Sequence, residues 1–199
     1  MIMQKGAGPH PKPWPVDAKY DISLLENGDY RNVEDKYRYM TVDAIKKDLE
    51  LNSHDIEIAI ENYKHDFNMG TIIRNCNAFN VRKIHIIGSK QWNKRGAMVT
   101  DRYLNIEYYK NTQSFLENNH AKNIISIDKI AGSKPLAQAK LPAGAIYVFG
   151  NESDGVSEAI KKASSEVLHI EQFGSTRSVN VGVASGIFLY EWLRQSGIL

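Results

Sequence analysis

Cysteine is nearly missing from this chain: Cys76 is the only one among 199 residues. That excludes an intrachain disulfide and a cysteine-rich zinc site. Long apolar runs are missing too, and nothing approaches the roughly 20 consecutive apolar residues of a membrane helix. The opening stretch, MIMQKGAGPHPKPWP, has two lysines and four prolines but no apolar core or small-residue cleavage site, so no secretory signal is read there. Neither sign of charge dominates. A net charge of +2 does not mark a nucleic-acid binder by charge alone, and it leaves RNA open as a partner. The six histidines, at 10, 54, 65, 85, 120 and 169, show no metal-ligand spacing, and no metal is expected. No Walker loop, Rossmann GxGxxG or HExxH is present. With 42% hydrophobic and 24% charged residues, the chain reads as a globular, cytoplasmic protein with one principal domain.

Prolines 9, 11, 13 and 15 alternate with other residues, which favours an extended arm, either a loose terminus or a strap for a partner. Between Val33 and Asn52 apolar residues recur at helical spacing, as one helix or as two with a break near Thr41. Residues 1–52 are therefore expected to be a proline-rich arm with a helical extension, and residues 53–199 the main domain. From Ile56 onward short strands alternate with helices. Ile56, Ile58 and Ile60 mark the first strand, MGTIIRNCNAF a helix, and KIHIIG a buried strand. Further strands are expected at 105–109, 123–127, 145–149 and 167–170, with helices near 112–119, 157–164 and 179–194. This is the α/β class, a mainly parallel sheet with helices on both faces. Ligands in such sheets lie beyond the carboxyl ends of the strands, which directs attention to the loops there.

Three loops carry polar residues that packing does not demand. In NYKHDFNMGTIIRN, Asn68 is placed to cap a helix and Gly70 permits close approach in its first turn, while Arg74 lies beyond the capping turn. Arg74 is either plain surface or a fork reaching back to an anion. In FGNESDGVS, Asp154-Gly155 signals a turn and Ser157 a helix cap, leaving Asn151 and Glu152 less explained. In STRSVNVGVASGIFLYEW, Ser178 and Asn180 can cap the helix that follows. Its flank of Gly182, Ala184, Ser185 and Gly186 has almost no side chains, at about 1 kcal/mol per glycine. Cys76 falls on the apolar side of its helix, where structural cysteines belong.

Together, and in this order, these loops resemble the three motifs of the SpoU (TrmH-type) RNA ribose methyltransferases of the SPOUT superfamily. The likeness runs over residues 60–195 and leaves residues 1–50 outside it. The resemblance implies an α/β-knot fold, in which the C-terminal segment forms a trefoil knot that binds S-adenosylmethionine and pairs two subunits. It implies methyl transfer to a ribose 2′-hydroxyl of tRNA or rRNA, with no role for DNA or a membrane. Asn68, Arg74, Glu152, Ser178 and Asn180 would form the catalytic and substrate-positioning shell. Backbone around Ile127, Gly150, Asn151, Ile170, Ser178 and Val179 would hold the cofactor, and Gly182 and Gly186 would give clearance for knot and dimer. Val179 stands where the family more often has Leu or Met, a difference of packing.

Arg74 would be the family's catalytic residue, yet a guanidinium stays protonated and makes a poor general base. Orienting the ribose and stabilising the developing alkoxide suits it better. Residues 1–50 lack the βα alternation of the extra RNA-binding domain some relatives carry. RNA contacts would then fall on the dimer surface, the arm, and KQWNKRGAMVTDRY, with Trp92 stacking a base, Lys94 and Arg95 on phosphates, and Arg177 as a further phosphate contact. The alternative is a catalytically inactive RNA-binding protein of the same fold.

Overall fold

The computed structural model describes residues 6–63, 68–151 and 153–199. The chain divides into two compact units, Met1–Asn52 and Ser53–Leu199.

The first unit is organised around a buried charge. Asp29 is fully buried and accepts from Arg31 Nε and Nη2 at 2.9 and 2.7 Å and from the Tyr39 amide at 2.9 Å. Burial alone would raise this carboxyl, but the bonds from Arg31 and Tyr39 outweigh it and hold the group at about 2. Arg31 and Arg38 also donate to the carbonyls of Met40 and Arg31, tying down the path of residues 29–40. The helical pattern expected from Val33 is realised in two pieces with the break near Thr41: a single 3-10 turn, Asp35–Tyr37, and then α2, Val42–Leu51, capped by Thr41 Oγ1. A short helix unmarked by the sequence pattern, α1, spans Ile22–Asn27, with Asp21 as its cap. The arm is extended as expected but is not loose: Ala7 pairs with Asp29, the His10 amide donates to Leu25 O, and the Tyr39 hydroxyl donates to Gly8 O.

The second unit is a seven-stranded sheet in which every described pairing is parallel. Its elements in chain order are β1 His54–Asn62, α3 Met69–Ala78, β2 Val81–Gly88, β3 Ile106–Tyr109, α4 Thr112–Asn118, β4 Ile124–Ile127, β5 Lys134–Pro135, β6 Ile146–Phe149, α5 Glu158–Ala163, β7 Glu166–His169 and α6 Val181–Gln195. The sheet order is β3-β2-β1-β6-β4-β7-β5. The first three strands step outward in one direction, β4 starts the other half, and β6 fills the place between β1 and β4. That reversal is the switch point at which parallel sheets bind ligands.

Alternation along β1 divides the core. Ile56, Ile58 and Ile60 face the cluster containing α3 and α6, with Ile72, Ile73, Cys76, Phe188 and Trp192, while Ala59 faces the cluster of α4 and α5 around Phe115 and Ile160. Cys76 is fully buried, and burial pushes its thiol well up, out of reach of nucleophilic chemistry.

On the α4 side, β1 also carries a buried acid. Glu57 is 5% exposed and receives His85 Nε2 at 2.9 Å and Lys122 Nζ at 3.0 Å. Since a carboxylate only accepts, His85 Nε2 carries the proton, and Nδ1 meets the Tyr109 hydroxyl at 3.2 Å. Burial would raise Glu57, but the His85 and Lys122 hydrogen bonds more than offset it and lower the group from 4.5 to about 2. Because the folded value lies below the unfolded one, this stabilisation is complete above pH 4.5 and is lost as pH falls from there towards 2. It amounts to roughly 3 kcal/mol. In urea titrations at neutral and acid pH, the Glu57→Gln variant is expected to start less stable and to lose less on acidification than the wild type. Parallel losses would exclude Glu57 as a source of acid sensitivity.

Candidate functional site

The site assembles at the carboxyl ends of β1, β4, β6 and β7. At the end of β1, Asn62 is fully buried and its Nδ2 donates to the carbonyls of Ser89 and Gln91 at 2.7 and 3.1 Å, fixing the start of the segment after β2. Asn68 then stands at the N-terminus of α3. Its side chain makes no capping bond to that helix. Instead Asn68 Oδ1 accepts from Asn180 Nδ2 at 2.8 Å, joining the first polar loop to the third. Asn180 does both jobs, because its Oδ1 also accepts from the amides of Gly182 and Val183 and caps α6. Arg74, one turn into α3, is exposed and has no hydrogen-bond or ion-pair partner among the described residues.

Helices α3 and α6 lie against one another through the small flank noted in the sequence. A Cβ on Gly182 would come 2.9 Å from Thr71 Cγ2, and Asn75 Nδ2 donates to Gly182 O and to the buried Ser185 Oγ. At Gly186 the nearest atom, Asn75 Nδ2, would be 3.4 Å away, so packing within the chain does not demand a glycine there.

The loop after β6 is folded tightly on itself. Asn151 Oδ1 accepts from the Ser153 amide and hydroxyl and from the Asp154 amide, while the Asn151 and Gly155 backbones pair with each other. Gly155 adopts φ +68°, and a Cβ on Gly150 would overlap the carbonyl of Gly155 and the amide of Val156. Ser157 sits at the start of α5 without capping it. Its amide donates to the buried Glu61 Oε2 at 2.7 Å, and its own hydroxyl has no partner among the described residues. The carboxylate of Glu61 thus stands at the start of α5, where the positive end of a helix favours it. Glu152 lies outside the described residues.

The segments after β4, β6 and β7 line a cavity of ≈ 370 Å³. Ile127, Gly150, Asn151, Ile170, Ser178 and Val179 all line it, as does Arg177. Arg74, Asn68 and Asn180 are not on its wall. Sequence reasoning missed Asp128, which follows β4 directly and also lines the cavity. Its Oδ2 accepts from the Val156 amide at 3.0 Å and pairs with Lys161 at 3.4 Å, tying the end of β4 to the tight loop. The available signal was an acid placed directly after an apolar strand.

The model of the SpoU rRNA Methylase family matches residues 55–190. The chain belongs to this family. Among its relatives is the tRNA (guanosine(18)-2'-O)-methyltransferase of Aquifex aeolicus, 29% identical over 157 residues, which are 76% of this chain and 74% of that protein. The 23S rRNA (guanosine-2'-O-)-methyltransferase RlmB of Neisseria meningitidis is 36% identical over a shorter stretch, 36% of this chain and 28% of that one. The crystal structure of the A. aeolicus TrmH/SpoU tRNA modifying enzyme superposes with a TM-score of 0.68 at 28% identity, covering 79% of this chain and 83% of the other. The fold is shared as well with AviRb of Streptomyces viridochromogenes, solved with AdoMet, at a TM-score of 0.64 and 19% identity over 73% of this chain and 62% of that one.

In this SpoU chain one expected RNA contact needs correction. Trp92 is only 9% exposed and packs in the core, so its ring is not open for a base. The segment is drawn inward because Gly96 lies on the backbone of Gly70, where a Cβ on Gly70 would come 2.8 Å from Gly96 Cα. Lys94 and Arg95 remain exposed, with Lys94 5.5 Å from the Trp92 ring and bonded to Asp101 at 2.9 Å. Among the described residues no helix is long and apolar enough to cross a membrane, and no cluster of acids, histidines and cysteine is arranged for a metal.

Proposed function

We propose that this chain transfers a methyl group from S-adenosylmethionine to a ribose 2′-hydroxyl of tRNA or rRNA, acting in the cytoplasm as a homodimer. The observation that carries the reading is the convergence of the segments after β4, β6 and β7 on one cavity, with the first polar loop tied to the edge of the third by the Asn68–Asn180 contact. The residues present fit the cofactor. The volume lies in the range of small-molecule sites, roughly 300–1,000 Å³. Ile127, Phe149, Ile170 and Val179 offer apolar wall for an adenine ring, while Asp128 and Ser178 offer polar atoms for the ribose and the amino-acid end. Gly150, with no space for a side chain, lets backbone approach closely. When bound, S-adenosylmethionine supplies an electrophilic methyl group on a sulfonium.

The protein's own part is positioning. Asn68 and Asn180 hold the first and third loops together, so the start of α3 and the 178–180 turn keep a fixed relation. Arg74, cationic and without a partner among the described residues, orients the ribose and stabilises negative charge on its 2′-oxygen as the bond to carbon forms. A substrate phosphate assists in taking the proton. Ser178 and Glu152 complete the shell in this reading, and the C-terminal segment is knotted around the cofactor.

The dimer is supported by α6, which exposes Val183, Ile187 and Tyr190 at i, i+4 and i+7, by 54%, 41% and 56%. They lie beside a largely apolar hollow of ≈ 690 Å³ that includes Phe79, Leu136 and Ile187. A second copy there gives Arg74, absent from the cavity wall of its own chain, a route to the cofactor.

Calorimetry with S-adenosylmethionine, paired with mass-spectrometric mapping of ribose methylation in RNA from cells with and without the gene, tests the proposal. Saturable binding and one lost 2′-O-methyl mark are expected. No binding would sink it, and binding without any changed mark would favour an RNA-binding protein that has lost turnover.

A further inference from the structure

The segment between β2 and β3 contains a feature that its packing does not explain. Met98 and Val99 stand in succession in the left-handed region, at φ 49° and 69°. That region crowds the Cβ of any L residue and most of all a β-branched one. Both side chains are half exposed, at 50% and 51%. The residues on either side are the reverse: Ala97 is fully buried, Thr100 is 4% exposed, and Thr100 Oγ1 donates to Ala97 O at 2.7 Å. A clamped base thus holds out an apolar tip of two residues in a strained conformation. Glycine or asparagine at 99 would satisfy the backbone better and expose less apolar surface.

The surroundings identify what the tip meets. Lys90, Arg95 and Arg102 are all exposed on this segment, and Arg102 is close enough to Lys94 to oppose its charge. Lys90 sits 5.8 Å over the ring of Tyr108, itself 36% exposed. Asp101 offsets Lys94, while Lys90, Arg95 and Arg102 have no acid paired with them among the described residues. An apolar tip among cations matches a single-stranded nucleic acid, which presents base faces flanked by phosphates, whereas bases within a duplex are covered by their neighbours. The base of the tip is continuous with the site, because Gly96 lies 3.2 Å from the Gly70 and Thr71 backbone at the start of α3, measured from an added Cβ.

We propose that Met98 and Val99 form a preorganised wedge that packs against an unpaired base of the RNA near the nucleotide being methylated, with Lys90, Arg95 and Arg102 on the adjoining phosphates. This rests on the RNA methyltransferase reading above and adds the structural state of the substrate: the target lies in a loop or an opened strand, not inside a continuous helix.

The test uses the full chain with Val99→Gly and, separately, Val99→Asn, both compatible with a left-handed backbone. Each is expected to raise the thermal midpoint by relieving strain. Each should also weaken binding of single-stranded RNA by roughly tenfold while leaving affinity for S-adenosylmethionine as it was. A more stable variant with unchanged RNA affinity would overturn the wedge. So would weaker RNA binding accompanied by a lower midpoint or lost cofactor binding, since that marks a structural role. Vesicles of anionic lipid provide the other arm: loss of vesicle binding with RNA binding intact would assign the tip to a membrane surface and overturn the proposal. If the wild-type chain binds no RNA, the functional reading falls together with the wedge, whereas wild-type binding unaltered by both variants removes the wedge alone.

Discussion

Gly150→Ala is expected to weaken S-adenosylmethionine binding by roughly 100-fold, equivalent to about 2.7 kcal/mol. The added methyl meets backbone, the Gly155 carbonyl and the Val156 amide, so no rotamer change relieves it. The loop from 151 to 156 must move, yet it is held at its far end by Asp128, whose carboxylate accepts from the Val156 amide. Either that bond breaks or β6 shifts within the sheet, and overpacking of this kind costs about 1–3 kcal/mol in stability. A fall of roughly 5 °C in the thermal midpoint should accompany the lost affinity. Calorimetry and a melting curve on the same sample measure both. Full cofactor affinity in this variant would show that the tight loop is scaffolding remote from the ligand.

Arg74→Lys is expected to lower the single-turnover methylation rate by roughly 100-fold while leaving cofactor affinity and thermal stability in place. The stability half follows from its surroundings: Arg74 is exposed and has no bonding partner among the described residues, so nothing in the fold depends on its fork. The rate half follows from geometry, since a planar fork fixes a ribose and a phosphate oxygen together, while an ammonium is a point charge on a flexible stem. The substitution also separates two chemistries. Lysine gives up its proton more readily than arginine. If residue 74 were the proton acceptor, the lysine enzyme would stay active and its rate would rise at lower pH. Full activity with an unshifted pH profile would remove Arg74 from both roles.

The sheet was legible because its strands are continuous apolar runs such as KIHIIG and AIYVF, which a parallel sheet covered on both faces requires. Their order was not, since placing β6 between β1 and β4 is a pairing of distant residues that no local pattern encodes. Local rules failed where a tertiary partner outcompeted them. Asn68 is a good cap by type but gives its oxygen to Asn180. Ser157 is a good cap by type but makes no capping bond, and it is its amide that is engaged, by the carboxylate of Glu61. The helical pattern read from Val33 gives only a single 3-10 turn before Thr41, where the Asp29–Arg31–Arg38 network ties down the path. Trp92 among cations has the composition of a stacking platform, but the glycine contact between residues 70 and 96 turns it inward. Composition located that segment, and only the backbone showed which of its apolar residues face out.

The position of β6 also bears on how the protein is made. Glu57 on β1 and Ile146 on β6 are partners in register although most of the domain lies between them in the chain. Until β6 has been synthesised, β1 keeps an unpaired edge of the type that recruits other strands, and β4, whose partners β6 and β7 both come later, is unpaired on both sides. Pairing across such distances is slow, because loop closure precedes the contacts that reward it. A nascent chain of this protein therefore carries an open β1 edge through much of its translation, joined by an unpaired β4 shortly before β6 emerges. Aggregation during synthesis should be governed by how quickly residues 146–149 take their place.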